Sequence, residues 1–295
     1  MEKSSRDKII QAGKIASEVK AFAKSIIKPG MFLVEIAEKI EQQIKDLGGE
    51  PAFPVNLSIN EIAAHYTPSY NDETTAYGLL KVDLGVHIDG WIADTAFSLD
   101  LEGSNENKKL IDTAKEALEN AKKIIKKGIS TDEIGKEIHR TIMSQNLNPI
   151  VNLSGHQIEQ YDLHAGITIP NVNESKNQIL PEGLFAIEPF VTAGSGKVYD
   201  GKPSEIFLMI DSKNVRSPLA REVLEYIIDE YGSLPFCSRW LVKKFGTKAL
   251  IALKQLQEQG NLHNFPQLIE ISKRKVAQAE DTVLLEDNKK IITTE

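Results

Sequence analysis

An internal repeat constrains the fold of this chain more than any other feature of its sequence. Lys24–Gly30 (KSIIKPG) matches Lys122–Gly128 (KKIIKKG) at an offset of 98 residues. At an offset of 96, the tetrapeptide VNLS that starts at Val55 returns at Val151. A period near 100 residues is too long for a solenoid repeat. We interpret the matches as two half-domains, each built as helix, helix and strands, packed about a pseudo-two-fold axis. The alternative is a pair of unrelated amphipathic helix pairs.

The hydrophobic periodicity predicts the elements of both halves. Apolar residues at helical spacing, closed by Gly or Pro, predict helices at 6–27, 33–47 and 106–127, and the capping box at Ser130–Glu133 opens a fourth at 131–145. Two short apolar runs, 80–88 and 91–99, are joined by Asp89-Gly90, a dipeptide typical of a type I′ hairpin turn. Further strands are expected at 183–190 and 275–285. The segment 213–268 has three helical patterns and no counterpart in the first half, which predicts a helical insertion.

Composition and charge exclude several function classes. The chain has 35 Lys and Arg against 42 Asp and Glu, a net charge of −7, so it is a poor default binder of nucleic acid or anionic membrane. We interpret the basic stretches Lys122–Lys127 and Arg239–Lys244 as solvated helix faces, with an RNA contact as the alternative. A single cysteine, Cys237, fits a reducing cytosol. The sequence predicts neither a signal peptide nor a membrane span.

The predicted hairpin places two carboxylates side by side. If Asp89 and Gly90 form the turn, residue 88 pairs with 91, and Asp83 becomes the diagonal neighbour of Asp94 on one face. Two carboxylates in this apolar context would repel each other unless a cation lies between them. The pattern therefore predicts a shared cation, and two solvated strand residues are the alternative.

The second half supplies further candidate ligands. Glu188 and Glu280 fall on strands where the repeat places Asp83 and Asp94, and His156 directly follows the repeated VNLS. Imidazole is a usual partner of carboxylates at transition-metal sites. Four carboxylates and one histidine carry a charge of −4, which favours two divalent ions, although a single metal is not excluded. His65 and His164 lie near the edges of this site, where a structural role is the alternative for each.

These residues also carry a resemblance to a known family. The segments around Ala52–Pro68, Lys81–Ala96, Leu153–Ile158, Ala186–Phe190 and Ala277–Glu280 resemble the type 2 methionine aminopeptidases in their short archaeal form. The resemblance implies an α+β pita-bread (creatinase/aminopeptidase) fold with a pseudo-two-fold repeat. It implies a catalytic domain at 1–212 and 269–295, and a winged-helix-like, helical type 2 insertion at 213–268.

The resemblance also implies roles for the candidate residues. Asp83 would chelate one metal, Asp94 and Glu280 would bridge both metals, and His156 and Glu188 would hold the other. Glu188 would shuttle the proton in the reaction. His164 would hydrogen-bond the scissile carbonyl, and His65 would contact the substrate backbone. A methionine pocket would be walled by four apolar side chains, Phe53, Leu163, Phe190 and Phe265.

One departure from the family pattern bears on the site. The last motif usually reads Phe-Glu-His, whereas this chain has Ala279-Glu280-Asp281. Because neighbours on a strand point to opposite faces, we expect both changes to leave metal ligation intact. On the sequence alone we expect Asp281→Ala to have only a mild effect on turnover.

The resemblance implies a cytoplasmic, metal-dependent hydrolase that removes the initiator methionine when the second residue is small. Its cofactors would be two divalent ions, with Co, Mn, Fe and Zn all compatible. Its partners would be peptides and nascent-protein N-termini, with ribosome association left open, no membrane, and a monomeric state. The rival interpretations are a non-catalytic pita-bread scaffold that binds protein or RNA, and an X-Pro peptidase.

Overall fold

The helix pairs repeat with the predicted spacing. In the computed structural model, which describes residues 2–173 and 178–295, α1 ends at Ile26 and α3 ends at Ile124, 98 residues later. Gly30 and Gly128 follow with φ of 84° and 83°, a conformation that glycine adopts without steric cost. The helices are α1 (Lys3–Ile26), α2 (Leu33–Asp46), α3 (Asn105–Ile124), α4 (Thr131–Ser144), α5 (Pro218–Glu230), α6 (Ser238–Phe245) and α7 (Ala249–Glu258).

The repeat extends to the loops that enter the second helix of each pair. The amide of Gly30 donates to the carbonyl of Ala76 at 2.8 Å, and the amide of Gly128 donates to the carbonyl of Leu180 at the same distance. The VNLS match is different, because Val55 lies inside a strand whereas Val151 lies in a turn. The two tetrapeptides are therefore not structurally equivalent, and that part of the repeat assignment was wrong.

Fifteen strands are found in the described residues and form four small sheets. The orders are β1-β3-β4, β11-β10-β12-β2, β13-β9-β5 and β15-β14-β8-β6-β7. The strands are β1 (Glu50–Ile59), β2 (Ile62–Ala64), β3 (Leu79–Ile88), β4 (Trp91–Asp100), β5 (Asn148–Pro149), β6 (Ser154–Glu159), β7 (Asp162–Pro170), β8 (Gly183–Ile187), β9 (Phe190–Thr192), β10 (Val198–Met209), β11 (Phe236–Cys237), β12 (Leu262–Glu270), β13 (Val276–Gln278), β14 (Asp281–Glu286) and β15 (Lys289–Ile292).

The hairpin formed by β3 and β4 has the predicted register. Ile88 pairs with Trp91, and Asp83 lies opposite Ala96. Asp89 and Gly90 both have positive φ, 47° and 79°, as a type I′ turn requires. Alternate residues of the hairpin pack against α1 and α2 in one hydrophobic core, so the opposite face is free to carry polar side chains toward the molecule's interior.

The prediction of one continuous strand at 275–285 was wrong. It is divided into β13 and β14, and Glu280 lies between them in an isolated bridge to Ala96. The amide of Glu280 donates to the carbonyl of Ala96 at 3.0 Å, and the reciprocal bond is 3.3 Å. This bridge joins the edge of the first half to the second half, so it could not be seen in local sequence.

The helices α5, α6 and α7 occupy the segment predicted as an insertion. They enclose their own hydrophobic core, separate from the cores under the two helix pairs. Residues 262–268 belong to β12, which pairs with β10 and β2. The boundaries 213–268 stay a prediction. Within residues 2–173 and 178–295, the search for a helix long and apolar enough to cross a membrane finds none.

Candidate metal centre and substrate pocket

A cavity of about 260 Å³ opens where the inner faces of the sheets meet. Its polar end holds all five side chains that the sequence predicts as metal ligands. They are Asp83, Asp94, His156, Glu188 and Glu280.

The hairpin supplies the first two carboxylates. Asp83 on β3 and Asp94 on β4 point away from the helices because their strand neighbours Val82 and Ala93 are buried in the helix-facing core. The hydroxyl of Thr282 fixes the backbone of Asp94, since it accepts from the Asp94 amide at 2.8 Å and donates to the Asp94 carbonyl at 2.7 Å.

The second half supplies the other three groups. His156 lies on β6 opposite Ala186 of β8, and Glu188 follows the end of β8. Nε2 of His156 is 3.7 Å from Oδ2 of Asp94 and 3.7 Å from Oε1 of Glu188. These separations are too long for hydrogen bonds, and they suit ligand atoms that share a cation. Ligand atoms of Asp94, His156 and Glu280 all lie within 4.8 Å of one another.

Gln278 is a member of the site that sequence reasoning missed. Its Nε2 lies 3.5 Å from Oε2 of Glu188 and 3.4 Å from Oε2 of Glu280, so the amide spans two candidate ligands. Its position two residues before Glu280 was a usable signal, because such residues on an extended chain share a face.

Burial and mutual repulsion dominate the electrostatics of the four carboxylates. Burial raises the pKa of Asp83 to about 7. Burial, followed by the charge of Asp83, raises the pKa of Asp94 well above its usual value. The pKa values of Glu188 and Glu280 are raised well above normal, first by burial and then by the neighbouring carboxylates. The cluster is therefore unfavourable as a set of four anions without a compensating cation.

Orphaned polar atoms show that the cluster fits a metal. Oδ1 of Asp83, Oδ1 of Asp94 and Nδ1 of His156 are buried and have no hydrogen-bond partner within the part of the chain that the structure describes. Burial lowers the pKa of His156 to about 3, so its imidazole is neutral and can donate a lone pair. Oxygen and nitrogen donors of this kind suit divalent transition metals.

The two other predicted histidines border the same cavity. The ring centroid of His164 lies 4.5 Å from that of His156. His65 has a φ of 63°, and its Nδ1 donates to the carbonyl of Pro266 at 3.2 Å. Burial lowers the pKa of His65 to about 4 and also lowers the pKa of His164, so both rings are neutral near pH 7.

An apolar pocket forms the other end of the cavity. The rings of His65 and Phe265 meet edge to face at 5.3 Å. Phe53 and Phe190 are buried, with 6% and 2% of their surface exposed, and Leu163 is exposed by 8%. All four side chains expected to form the methionine pocket line this cavity: Phe53, Leu163, Phe190 and Phe265.

Asp281 points away from the cavity, as expected for the strand neighbour of Glu280. Its Oδ1 accepts from Nζ of Lys20 at 2.9 Å, and its Oδ2 accepts from Nζ of Lys122 at 2.8 Å. The interpretation of Lys122 as solvated was wrong, because only 5% of its side chain is exposed. Arg239 is likewise buried, with both terminal nitrogens bound to Glu41 at 2.8 Å, so the second basic stretch is not a uniformly solvated face.

The comparisons with known proteins agree with this geometry. Residues 7–287 match the model of metallopeptidase family M24, and the chain belongs to that family. Within it, the chain is similar to a methionine aminopeptidase of Thermococcus onnurineus, with 49% identity over 294 residues that cover 98% of this chain and 99% of that protein.

Two solved structures share the fold at low identity. A thermophilic Arx1 superposes with a TM-score of 0.87 at 16% identity, and covers 99% of this chain and 91% of its own. A methionine aminopeptidase from Thermotoga maritima has a TM-score of 0.72 at 22% identity, with 100% and 98% covered. These likenesses confirm the predicted pita-bread fold, and the site and the family together define a metallopeptidase.

Proposed function

We propose that the protein is a metal-dependent aminopeptidase that removes N-terminal methionine from peptides and nascent proteins when the second residue is small. The observation that carries the proposal is that one cavity is lined both by five convergent oxygen and nitrogen donors and by an apolar pocket. The full-length similarity to a methionine aminopeptidase supports it.

The five donors would hold two divalent ions, with Co, Mn, Fe or Zn as candidates. In this assignment Asp83 would bind one ion, His156 and Glu188 would bind the other, and Asp94 and Glu280 would contribute to both. When bound, the ions lower the pKa of a water molecule toward neutrality and polarise the scissile carbonyl. The binding of a free α-amino group at the same polar end would restrict the reaction to chain ends.

The proton would move through Glu188. Its carboxylate lines the polar end of the cavity, where it would accept a proton from the attacking water and return it to the leaving amine. His164 is neutral and lies beside His156, so its N–H can donate to the carbonyl oxygen as negative charge develops there.

His65 would orient the substrate. Because its Nδ1 donates to Pro266, its neutral ring leaves Nε2 as an acceptor for a peptide N–H. The long apolar side chain of methionine would then lie among the four pocket side chains Phe53, Leu163, Phe190 and Phe265. Both assignments make the first residue, rather than the body of the peptide, the main determinant of binding.

We further propose that the chain is a type 2 enzyme of the short archaeal form, with residues 213–268 as its insertion subdomain. The three helices in this segment and their separate core support that division. The protein would act in the cytoplasm as a monomer on emerging N-termini, with ribosome association as a further partner interaction.

Release of free methionine tests the proposal. Chelator-treated protein should be inactive, and anaerobic addition of Mn, Fe, Co or Zn should restore cleavage of Met-Gly peptides but not of Met-Lys peptides. Folded protein that cleaves neither peptide with any metal would favour the binding scaffold. Cleavage of X-Pro peptides instead would favour the rival peptidase.

A further inference from the structure

The back of the metal centre contains a buried charge network that links three distant parts of the chain. Asp281 is 4% exposed and receives Lys20 from α1 and Lys122 from α3. The hydroxyl of Thr294 donates at 2.9 Å to Oδ1 of Asp281, the oxygen that also accepts from Lys20. Lys122 also pairs with Glu119 at 2.7 Å and with Glu295. The network lies on the helix side of the sheet, opposite the cavity.

Lys20 joins the two strand segments that carry the candidate bridging ligands. Its Nζ donates to Oγ1 of Thr95 at 3.1 Å and to Asp281 at 2.9 Å. Thr95 directly follows Asp94, and Asp281 directly follows Glu280. The hydroxyl of Thr95 in turn donates to the carbonyl of Glu280 at 2.8 Å. The ammonium group of Lys20 therefore hydrogen-bonds to the residues that directly follow Asp94 and Glu280 in the sequence.

Side chains and backbone together fix this junction. The backbone contact between β4 and the 279–281 segment is an isolated bridge at Ala96 and Glu280, not a continuous ladder. Thr282 adds a side-chain link to the Asp94 backbone on the other side of the bridge. The spacing between Asp94 and Glu280 across this junction therefore depends on the two backbone hydrogen bonds of the bridge, on the hydroxyls and on the Lys20–Asp281 pair.

The force that would open this junction is the repulsion between the candidate ligands themselves. The buried carboxylates of Asp94 and Glu280 have oxygen atoms within 4.8 Å of each other, so like charges there would push the two segments apart. Without a firm connection behind them, the two segments would separate when the metal leaves and would have to be brought together again when it binds. Reorganisation of this kind lowers the apparent affinity for the ligand.

We propose that Asp281, held by Lys20 and Lys122, is a positioning residue that fixes the spacing of the Asp94 and Glu280 carboxylates and so the metal affinity of the centre. The inference rests on the proposed function, because it assumes that these carboxylates bind metal. Partners that orient metal ligands typically change metal affinity by about 10- to 100-fold when they are removed.

The test measures metal binding separately from catalysis. Asp281→Asn keeps the shape and removes the charge, and Thr95→Val removes the hydroxyl that joins Lys20 to Glu280. We expect each variant to weaken Mn²⁺ binding in titration calorimetry by about tenfold, and to shift the visible absorption of the Co²⁺-loaded protein. Glu41→Gln is the matched control, because it removes the charge of another buried ion pair outside the metal cavity. It should lower the denaturation midpoint without changing either metal readout.

The outcomes separate the two levels of the proposal. Metal binding and a Co²⁺ spectrum identical to wild type in both folded variants would show that the network is only structural, and would overturn the inference. If Asp281→Asn does not fold, Thr95→Val decides the question by the same two readouts. Failure of the wild-type protein to bind Mn²⁺ or Co²⁺ in this cavity would instead overturn the proposed function.

Discussion

Metal binding should release protons from the carboxylate cluster, because burial raises the pKa values of its members. At pH 6, a carboxyl with the pKa of about 7 found for Asp83 is about nine-tenths protonated, whereas one with an ordinary pKa near 4 is about one-hundredth protonated. Asp94, Glu188 and Glu280 have pKa values raised in the same direction and add to the release. His156 is already neutral and adds none. We therefore expect about one proton or more per protein at pH 6.

Titration calorimetry of Mn²⁺ into metal-free protein, repeated at pH 6 in two buffers of different ionisation enthalpy, gives this number directly. The sign of the pH dependence follows, because a metal that displaces protons binds more tightly as pH rises from 5 toward 8. Asp83→Asn is the matched variant and should release about one proton fewer. Binding with no measurable proton release would refute the reasoning, since it would mean that the four carboxylates stay ionised without a cation.

Three further predictions concern single side chains. Glu188→Gln should lower kcat by about 10²- to 10⁴-fold, because the amide cannot accept a proton, and near-normal turnover of a Met-Gly peptide would exclude the shuttle role. His164→Ala should lower kcat by about 10²- to 10³-fold with a smaller change in KM, and an effect on KM alone would place the ring in ground-state binding instead. Asp281→Ala should lower the free energy of unfolding by about 3–5 kcal/mol, because two largely buried ammonium groups would lose their carboxylate. Urea denaturation of metal-free protein measures this, and an unchanged midpoint would show that the two ammonium groups do not depend on this carboxylate.

The sequence predicts the parts of the site that depend on local geometry. The Asp89-Gly90 turn determines which residues pair across the hairpin, so the adjacency of Asp83 and Asp94 could be counted from the turn. The helix pairs were predictable for a similar reason, since their apolar spacing, capping residues and terminal glycines lie within short windows.

The missed features depend on contacts between residues far apart in sequence. Asp281 meets Lys20 and Lys122 across 261 and 159 residues, so neither lysine could be recognised as a buried ion-pair partner. The division between β13 and β14 reflects the bridge from Glu280 to Ala96 in the other half. The VNLS match failed for the opposite reason, because an identical tetrapeptide carries too little information to fix a strand.

The central claim, that five converging side chains bind metal, is tested most directly by diffraction from crystals loaded with Co²⁺, with data collected on both sides of the cobalt absorption edge. Two anomalous peaks are expected between Asp83, Asp94, His156, Glu188 and Glu280. A single peak there would support metal binding at this site but contradict the binding of two ions. Loaded crystals with no anomalous peak in this cavity would contradict the account.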